Sequence, residues 1–346
     1  MQPTQSPLRL GMITVEPHGK PWAEVLSRNP AAKMEWAWDY EVERAQAYAE
    51  KYRIPFVARG VEEMLGEVDA VLVGGGRRMP QPGERWGDAK DDHLWLSRPF
   101  LEAGVPVLID KPFADTIEDA VEMVRLARKH GTPLMSCSAM RFDTAVKAVK
   151  EQIDAGGVGK VLTATAFIGT GLCRPLWYLI HMLEAIYVPF GPGIESVTAR
   201  SSEGKMTTEV GGYPALYNFL FRWNDGRLVN ITMAQDDADA ASSAGLDSRR
   251  QRILWPTDYV IPPYLPLHYV YHVYGDSNWT EMRSVGKGCY TFKLAAFLDM
   301  VRTGQPAIPL EEMLELTQAN VLAEKALTSG QVEYLTPINQ LMPSAL

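Results

Sequence analysis

Residues 105–138, VPVLIDKPFADTIEDAVEMVRLARKHGTPLMSCS, decide the fold. The apolar, β-branched run up to Ile109 reads as a buried strand. Thr116 then stands where a helix cap belongs, ahead of an amphipathic stretch over Ile117–His130 that Gly131 stops. A second apolar run, TPLMSCS, follows at once. Two apolar strands joined through a helix predict a parallel pair covered on both faces. Ligands of open parallel sheets bind beyond the carboxyl ends of the strands. The Asp110-Lys111-Pro112 turn leaves the first of these strands at that end.

The same alternation extends upstream. LRLGMIT, KMEWAWD and VDAVLVG read as strands, and KPWAEVLSRNP, YEVERAQAYAEKYRI and DDHLWLSRPFLEAG as helices. Downstream of about residue 160 the texture changes. KVLTATAFIG, GIESVTARSS, ALYNFLFRW and GRLVNITMAQ are strands without intervening helices, with NDG as a hairpin turn. LEEMLELTQANVLAEKALTSG is the last clear helix. The expected fold is α/β: an N-terminal doubly wound Rossmann domain over residues 1–141, then an α+β domain over 142–346 with a large, mostly antiparallel open sheet.

A net charge of −8 and the lack of a basic stripe exclude a nucleic-acid footprint. No apolar run approaches the ~20 residues of a membrane span, and the first residues carry no secretory or transit pattern, so a cytoplasmic location is expected. The three cysteines Cys137, Cys173 and Cys289 lie far apart, so neither a disulfide framework nor a metal site is expected.

The first strand-to-helix turn, Gly11-Met-Ile-Thr-Val-Glu-Pro-His-Gly19, is where a dinucleotide fingerprint would lie. Aligned as Gly-x-Gly-x-x-Gly, its three positions hold Thr14, Glu16 and Gly19, which makes Thr14, Val15, Glu16, Pro17 and His18 candidate cofactor contacts. Glu16 puts a side chain and a negative charge where backbone would approach a pyrophosphate. Asp39 ends the second strand twenty residues after Gly19. It either accepts hydrogen bonds from the adenosine ribose, favouring NAD over NADP, or caps the next helix; Arg44 nearby keeps NADP open. Gly74 and Gly75 permit close backbone approach after the strand VDAVLV, and Arg77 and Arg78 supply donors for an acidic substrate or an offset to Glu16, unless the loop is simply solvated. His93 opens the next helix and could face the same ligand. Lys111 could hold or polarise a substrate hydroxyl, or could face solvent. In LWYLIHMLEAIY, Leu176, Leu179, Ile180, Leu183 and Ile186 form the core stripe, while Trp177, His181 and Glu184 form a second. With a reference pKa near 6.5, His181 suits proton transfer if it faces a ligand, and is otherwise a structural histidine.

The stretch from VDAVLVG through LEAGVPVLIDKPFADTIEDAVEMVRLARKHG to MRFDTAVKAVKEQIDAGGVGKV, with IHMLEAIYVPFGPGIESVTA and FKLAAFLDMVRTGQPAIPLEEMLELTQANVLAEKALTSG, resembles the Gfo/Idh/MocA oxidoreductases, the glucose-fructose oxidoreductase and inositol dehydrogenase group. The family's Glu-Lys-Pro stands here as Asp110-Lys111-Pro112, and its arginine-bearing lead into the second domain as Met140-Arg141-Phe142. The resemblance implies an NAD(P)-dependent dehydrogenase in which Lys111 lies by the nicotinamide and His181 is the acid/base toward a sugar, cyclitol or related polyol. Trp177 replaces the aspartate that many members carry four residues before this histidine, so Tyr178 and Glu184 become the candidate orienting partners and Trp177, with Trp86, a surface for stacking on a sugar ring. Arg141 joins the candidate substrate contacts. A lyase or hydrolase that retains NAD and works through transient oxidation is the alternative, as is a non-catalytic ligand-binding member. No nucleic-acid or membrane partner is expected; a homo-oligomer, dimer or tetramer, formed through the C-terminal sheet is.

Overall fold

The computed structural model describes residues 6–15, 19–74, 91–171, 175–202, 215–236, 269–284 and 288–342. They form two compact units. Unit 1 comprises Met1–Ser138, Tyr290–Thr317 and Pro337–Leu346, and unit 2 comprises Ala139–Cys289 and Gln318–Thr336.

Unit 1 alternates strand and helix: β1 (Leu8–Ile13), α1 (Gly19–Leu26), β2 (Ala32–Trp38), α2 (Val42–Tyr52), β3 (Phe56–Val57), β4 (Ala70–Val73), α3 (His93–Ala103), β5 (Val107–Ile109), α4 (Ile117–His130) and β6 (Leu134–Ser136). The six strands lie in the order β3-β2-β1-β4-β5-β6, every pairing parallel. Every residue of β4, β5 and β6 is buried, as a sheet covered on both faces requires. Chain order reverses between β1 and β4, the switch point at which such sheets open a crevice. The local signals of α4 act as read. Thr116 Oγ1 accepts the Asp119 N–H at 3.1 Å, Glu118 and Asp119 lie at the positive end of the helix dipole, and Arg128, Lys129 and His130 at its negative end. Gly131 closes it with φ 64°, in the left-handed region where a Cβ is disfavoured.

Unit 2 contains α5 (Thr144–Asp154), β7 (Val161–Gly171), α6 (Pro175–Phe190), β8 (Ile194–Ser201), β9 (Ala215–Trp223), β10 (Leu228–Asp236), β11 (Tyr269–Gly275), β12 (Trp279–Ser284) and β13 (Glu333–Tyr334). The strands form a seven-stranded sheet in the order β12-β11-β7-β10-β9-β8-β13, antiparallel except where β7 meets β10. Its strands alternate. Phe219, Phe221, Trp223, Val229, Ile231, Met233, Tyr271 and Val273 are buried, while Leu220, Leu228, Tyr274 and Trp279 project from the other face and are exposed.

Two closing helices, α7 (Cys289–Thr303) and α8 (Leu310–Ser329), follow. By their contacts, Tyr290–Thr317 and Pro337–Leu346 group with unit 1, whereas the sequence placed them in a domain over 142–346. The physical reason is visible in α7. Leu294, Phe297, Leu298 and Met300 are buried, the Tyr290 ring packs edge-on to Trp22 of α1 at 5.3 Å, and Arg302 donates to the Ala31 carbonyl at 2.9 Å. No helix among the described residues is long and apolar enough to cross a membrane.

Candidate functional site

The fingerprint turn begins at Thr14, whose φ is 60°. Glycine reaches this left-handed conformation without strain; for a β-branched residue it costs about 1–2 kcal/mol. Thr14 is buried, and its hydroxyl donates to the Ile13 carbonyl at 2.7 Å. At Thr14 the backbone thus takes a conformation that a fingerprint glycine would serve. Gly19 supplies the close packing expected of the third glycine: a Cβ there would meet the Tyr48 ring at 3.1 Å, and the Tyr48 hydroxyl donates to the Gly19 carbonyl at 2.7 Å.

Asp39 follows β2 and is buried. Its Oδ2 accepts the Val15 N–H at 2.9 Å; its Oδ1 accepts the Glu41 N–H at 3.2 Å and pairs with the Arg44 guanidinium at 2.9 Å. Glu41, not Asp39, occupies the N-cap of α2. The carboxylate therefore ties the end of β2 to the turn after β1. Val15 N–H, a donor the turn could have offered an anion, is already engaged by it.

Gly74 follows β4 against the same turn. A Cβ there would sit 2.6 Å from the Met12 methyl and 2.9 Å from the Thr14 carbonyl oxygen, a backbone atom that cannot rotate away. Gly74→Ala is expected to cost about 1–3 kcal/mol by overpacking, read as a lower urea midpoint; an unchanged midpoint would show that the β1 and β4 ends separate easily.

After β5, Asp110 is buried and the Lys111–Pro112 peptide bond is cis. His93, a candidate substrate contact in the sequence, is itself buried, and its Nδ1 donates to the Phe113 carbonyl at 3.1 Å. The imidazole thus ties the start of α3 to the turn that carries Lys111. Asp91 adds a second tie by accepting the Asp115 N–H. Tyr40 donates to Asp92 at 2.7 Å; burial and that bond push its phenol well above the usual tyrosine range. Trp38, Tyr40 and Trp95 form an aromatic cluster beside Asp39, with Tyr40 and Trp95 stacked at 6.4 Å and Trp95 exposed.

In unit 2, α6 turns its predicted stripe, Leu176, Leu179, Ile180, Leu183 and Ile186, into the core. Trp177, Tyr178 and His181 remain partly exposed. The Tyr178 and Tyr269 rings meet the His181 imidazole edge-on at 5.4 and 5.7 Å, which limits its rotation. Glu184 differs from these: it is buried and pairs with Arg141 at 3.1 Å. The two residues predicted for proton relay and substrate contact thus form an ion pair within unit 2.

The geometry of unit 1 has named relatives. Residues 9–137 match the family described as "Oxidoreductase family, NAD-binding Rossmann fold". That stretch is similar to the Rossmann domain of the Gfo/Idh/MocA oxidoreductases. A 1,5-anhydro-D-fructose reductase of Ensifer adhaerens is 29% identical over 161 residues, 46% of this chain and 44% of that protein. A D-glucoside 3-dehydrogenase of Escherichia coli is 30% identical over 218 residues, 57% of this chain and 58% of that protein. The chain thus matches about half the length of these relatives. In fold the likeness runs further: the scyllo-inositol dehydrogenase of Lactobacillus casei, solved with bound NAD(H) and scyllo-inositol, aligns with a TM-score of 0.71 at 14% identity, over 95% of this chain and 99% of that one.

A member of this family needs a turn that admits a dinucleotide and a carboxylate at the end of β2. The left-handed Thr14, the close contacts at Gly19 and Gly74, and Asp39 fit that group. Glu16, Pro17, His18, Gly75, Arg77, Arg78, Trp86 and Cys173 lie outside the described residues. Cys137 and Cys289 are buried, and burial with Asp143 alongside pushes the Cys289 thiol far up, so it is inert at neutral pH. No metal-ligating cluster occurs among the described residues. A buried lysine, Lys293, escaped the sequence reading altogether. Its sole local signal is a lysine one turn before Phe297 and two before Met300, on a face otherwise apolar.

Proposed function

We propose that the chain is an NAD-dependent oxidoreductase that moves hydride between the carbinol carbon of a sugar, cyclitol or related polyol and nicotinamide. The observation that carries this reading is the placement of Asp39 and Asp110-Lys111 at the carboxyl ends of β2 and β5, in a domain of the NAD-binding family. The bound nicotinamide would supply the hydride acceptor. Lys111 holds the substrate hydroxyl and lowers its pKa, and His181 takes the carbinol proton. Thr14 and Val15 line the nucleotide turn with Gly74, and Trp177 and Tyr178 offer stacking surface to a sugar ring.

NAD is preferred to NADP. Asp39 would meet a 2′-phosphate with like charge, and Arg44 is committed to Asp39 and Glu41, at 2.9 and 3.2 Å. Asp39→Asn removes the repulsion and releases Arg44. The ratio of NADP to NAD affinity is expected to rise by at least about tenfold, given the ~1.5–3 kcal/mol of hydrogen bonds to charged groups. An unchanged ratio in calorimetric titrations removes Asp39 from cofactor choice.

The exposed face of the seven-stranded sheet, with Trp279, Tyr274, Leu228 and Leu220, supports assembly of the chain with copies of itself. The deciding experiment for the reading as a whole is stoichiometric: purified protein, NAD and a polyol panel, followed by NADH absorbance. Sustained NADH release supports the dehydrogenase. Product without net NADH supports the NAD-retaining lyase or hydrolase, and saturable binding with no chemistry supports a binding protein.

A further inference from the structure

Lys293 lies within unit 1 on α7 and is 1% exposed. Burying an ammonium costs several kcal/mol unless its protons find partners and its charge a counter-ion. Both are present. Nζ donates to the Cys137 carbonyl at 2.6 Å and to Asp110 Oδ1 at 3.3 Å, and it lies 5.2 Å from the centre of the Trp22 ring, within reach of a cation–π attraction. Those three partners belong to different parts of the sheet edge. Asp110 begins the turn after β5, Cys137 follows β6, and Trp22 sits on α1, the helix after the fingerprint turn.

We propose that Lys293 is the positioning residue of the Asp110-Lys111-Pro112 turn. It compensates the Asp110 carboxylate and fixes the turn against β6 and α1, and so fixes the place from which Lys111 reaches the substrate hydroxyl. A carboxylate as buried as Asp110, at 3% exposure, cannot stay charged there without a partner. With Lys293 gone, the carboxylate loses this counter-ion and its hydrogen bond, and the turn that carries Lys111 loses its tie to β6 and α1.

The kinetic part of this inference rests on the oxidoreductase reading; the structural part does not. Three proteins test it: wild type, Lys293→Met and the double variant Lys293→Met/Asp110→Asn. In hydrogen–deuterium exchange without nucleotide, Lys293→Met is expected to speed exchange in residues 107–116 by at least about tenfold while leaving the core of α4 at its wild-type rate. The double variant, with no uncompensated charge, is expected to recover most of that protection. Exchange in 107–116 that is unchanged in the single variant, or raised equally across all of unit 1, overturns the proposal. So does a double variant as exposed as the single one. If Lys293→Met fails to fold, the double variant still decides, because the proposal requires it to fold.

In the kinetic arm, Lys293→Met is expected to lower kcat by on the order of 10²-fold, the usual cost of a misplaced catalytic group, with ADP-ribose affinity within about twofold of wild type. Equal losses for NAD and ADP-ribose would mean a general loss of structure and would overturn it. A wild-type protein that binds no NAD refutes the oxidoreductase reading, and the exchange comparison then stands by itself.

Discussion

Replacing His181 by alanine is expected to lower kcat for polyol oxidation by about 10²–10⁴-fold, the range of general acid–base catalysis, with NAD affinity unchanged. The imidazole is partly exposed on α6, off the buried stripe, and its orientation is limited by the edges of Tyr178 and Tyr269. Aromatic packing by these two rings contributes to holding the imidazole. Tyr178→Leu should therefore lower kcat as well, by a smaller factor than His181→Ala. Lys111→Met is expected to match the histidine variant in size. If both groups act on one proton transfer, the double variant His181→Ala/Lys111→Met should lose much less than the product of the single losses, because such groups are strongly non-additive. Steady-state kinetics with calorimetric NAD titration check all four. A His181→Ala protein that retains wild-type kcat sinks the assignment and favours a structural histidine.

The second large effect concerns stability. Glu184 and Arg141 form an ion pair with side chains only 4% and 14% exposed. Removing one partner strands the other, so Glu184→Ala is expected to destabilise unit 2 by about 3–5 kcal/mol, seen as a lower urea midpoint for the transition that reports on α6. Replacing both, as Arg141→Met/Glu184→Met, should recover most of that loss, since two apolar side chains of similar volume need no counter-charge. The comparison also separates a structural pair from a catalytic one. If Glu184 orients His181 or carries the proton, Glu184→Gln should abolish turnover at unchanged stability; a loss of stability with kcat largely kept identifies the carboxylate as the partner of Arg141.

Much of unit 1 was legible because its signals are local. An apolar run makes a strand, a Thr116 cap and a Gly131 stop bound a helix, and Asp39 and Asp110 fall at strand ends because chain direction in a parallel sheet puts them there. The stripe of α6 was legible for the same reason, since a 3.6-residue period needs no partner to be counted. Glu184 shows where that reading stops. Periodicity put it in line with His181 and could not register that a guanidinium 43 residues away would claim it. The split of the chain was hidden for a related cause. The apolar face of α7 says that the helix is buried, and is silent on which sheet buries it.

Element types, the parallel edge where a dinucleotide would bind, and the place of Asp39, Asp110 and Lys111 at strand ends were determined by the sequence alone, through spacing and side-chain type over a few turns. The left-handed backbone of Thr14, the capture of Val15 N–H by Asp39, and the pairing of Asp110 with Lys293 across 183 residues were decided only by the tertiary structure. A buried charge takes its counter-ion from whatever the fold brings within hydrogen-bond distance, and distance in space leaves no period in the sequence.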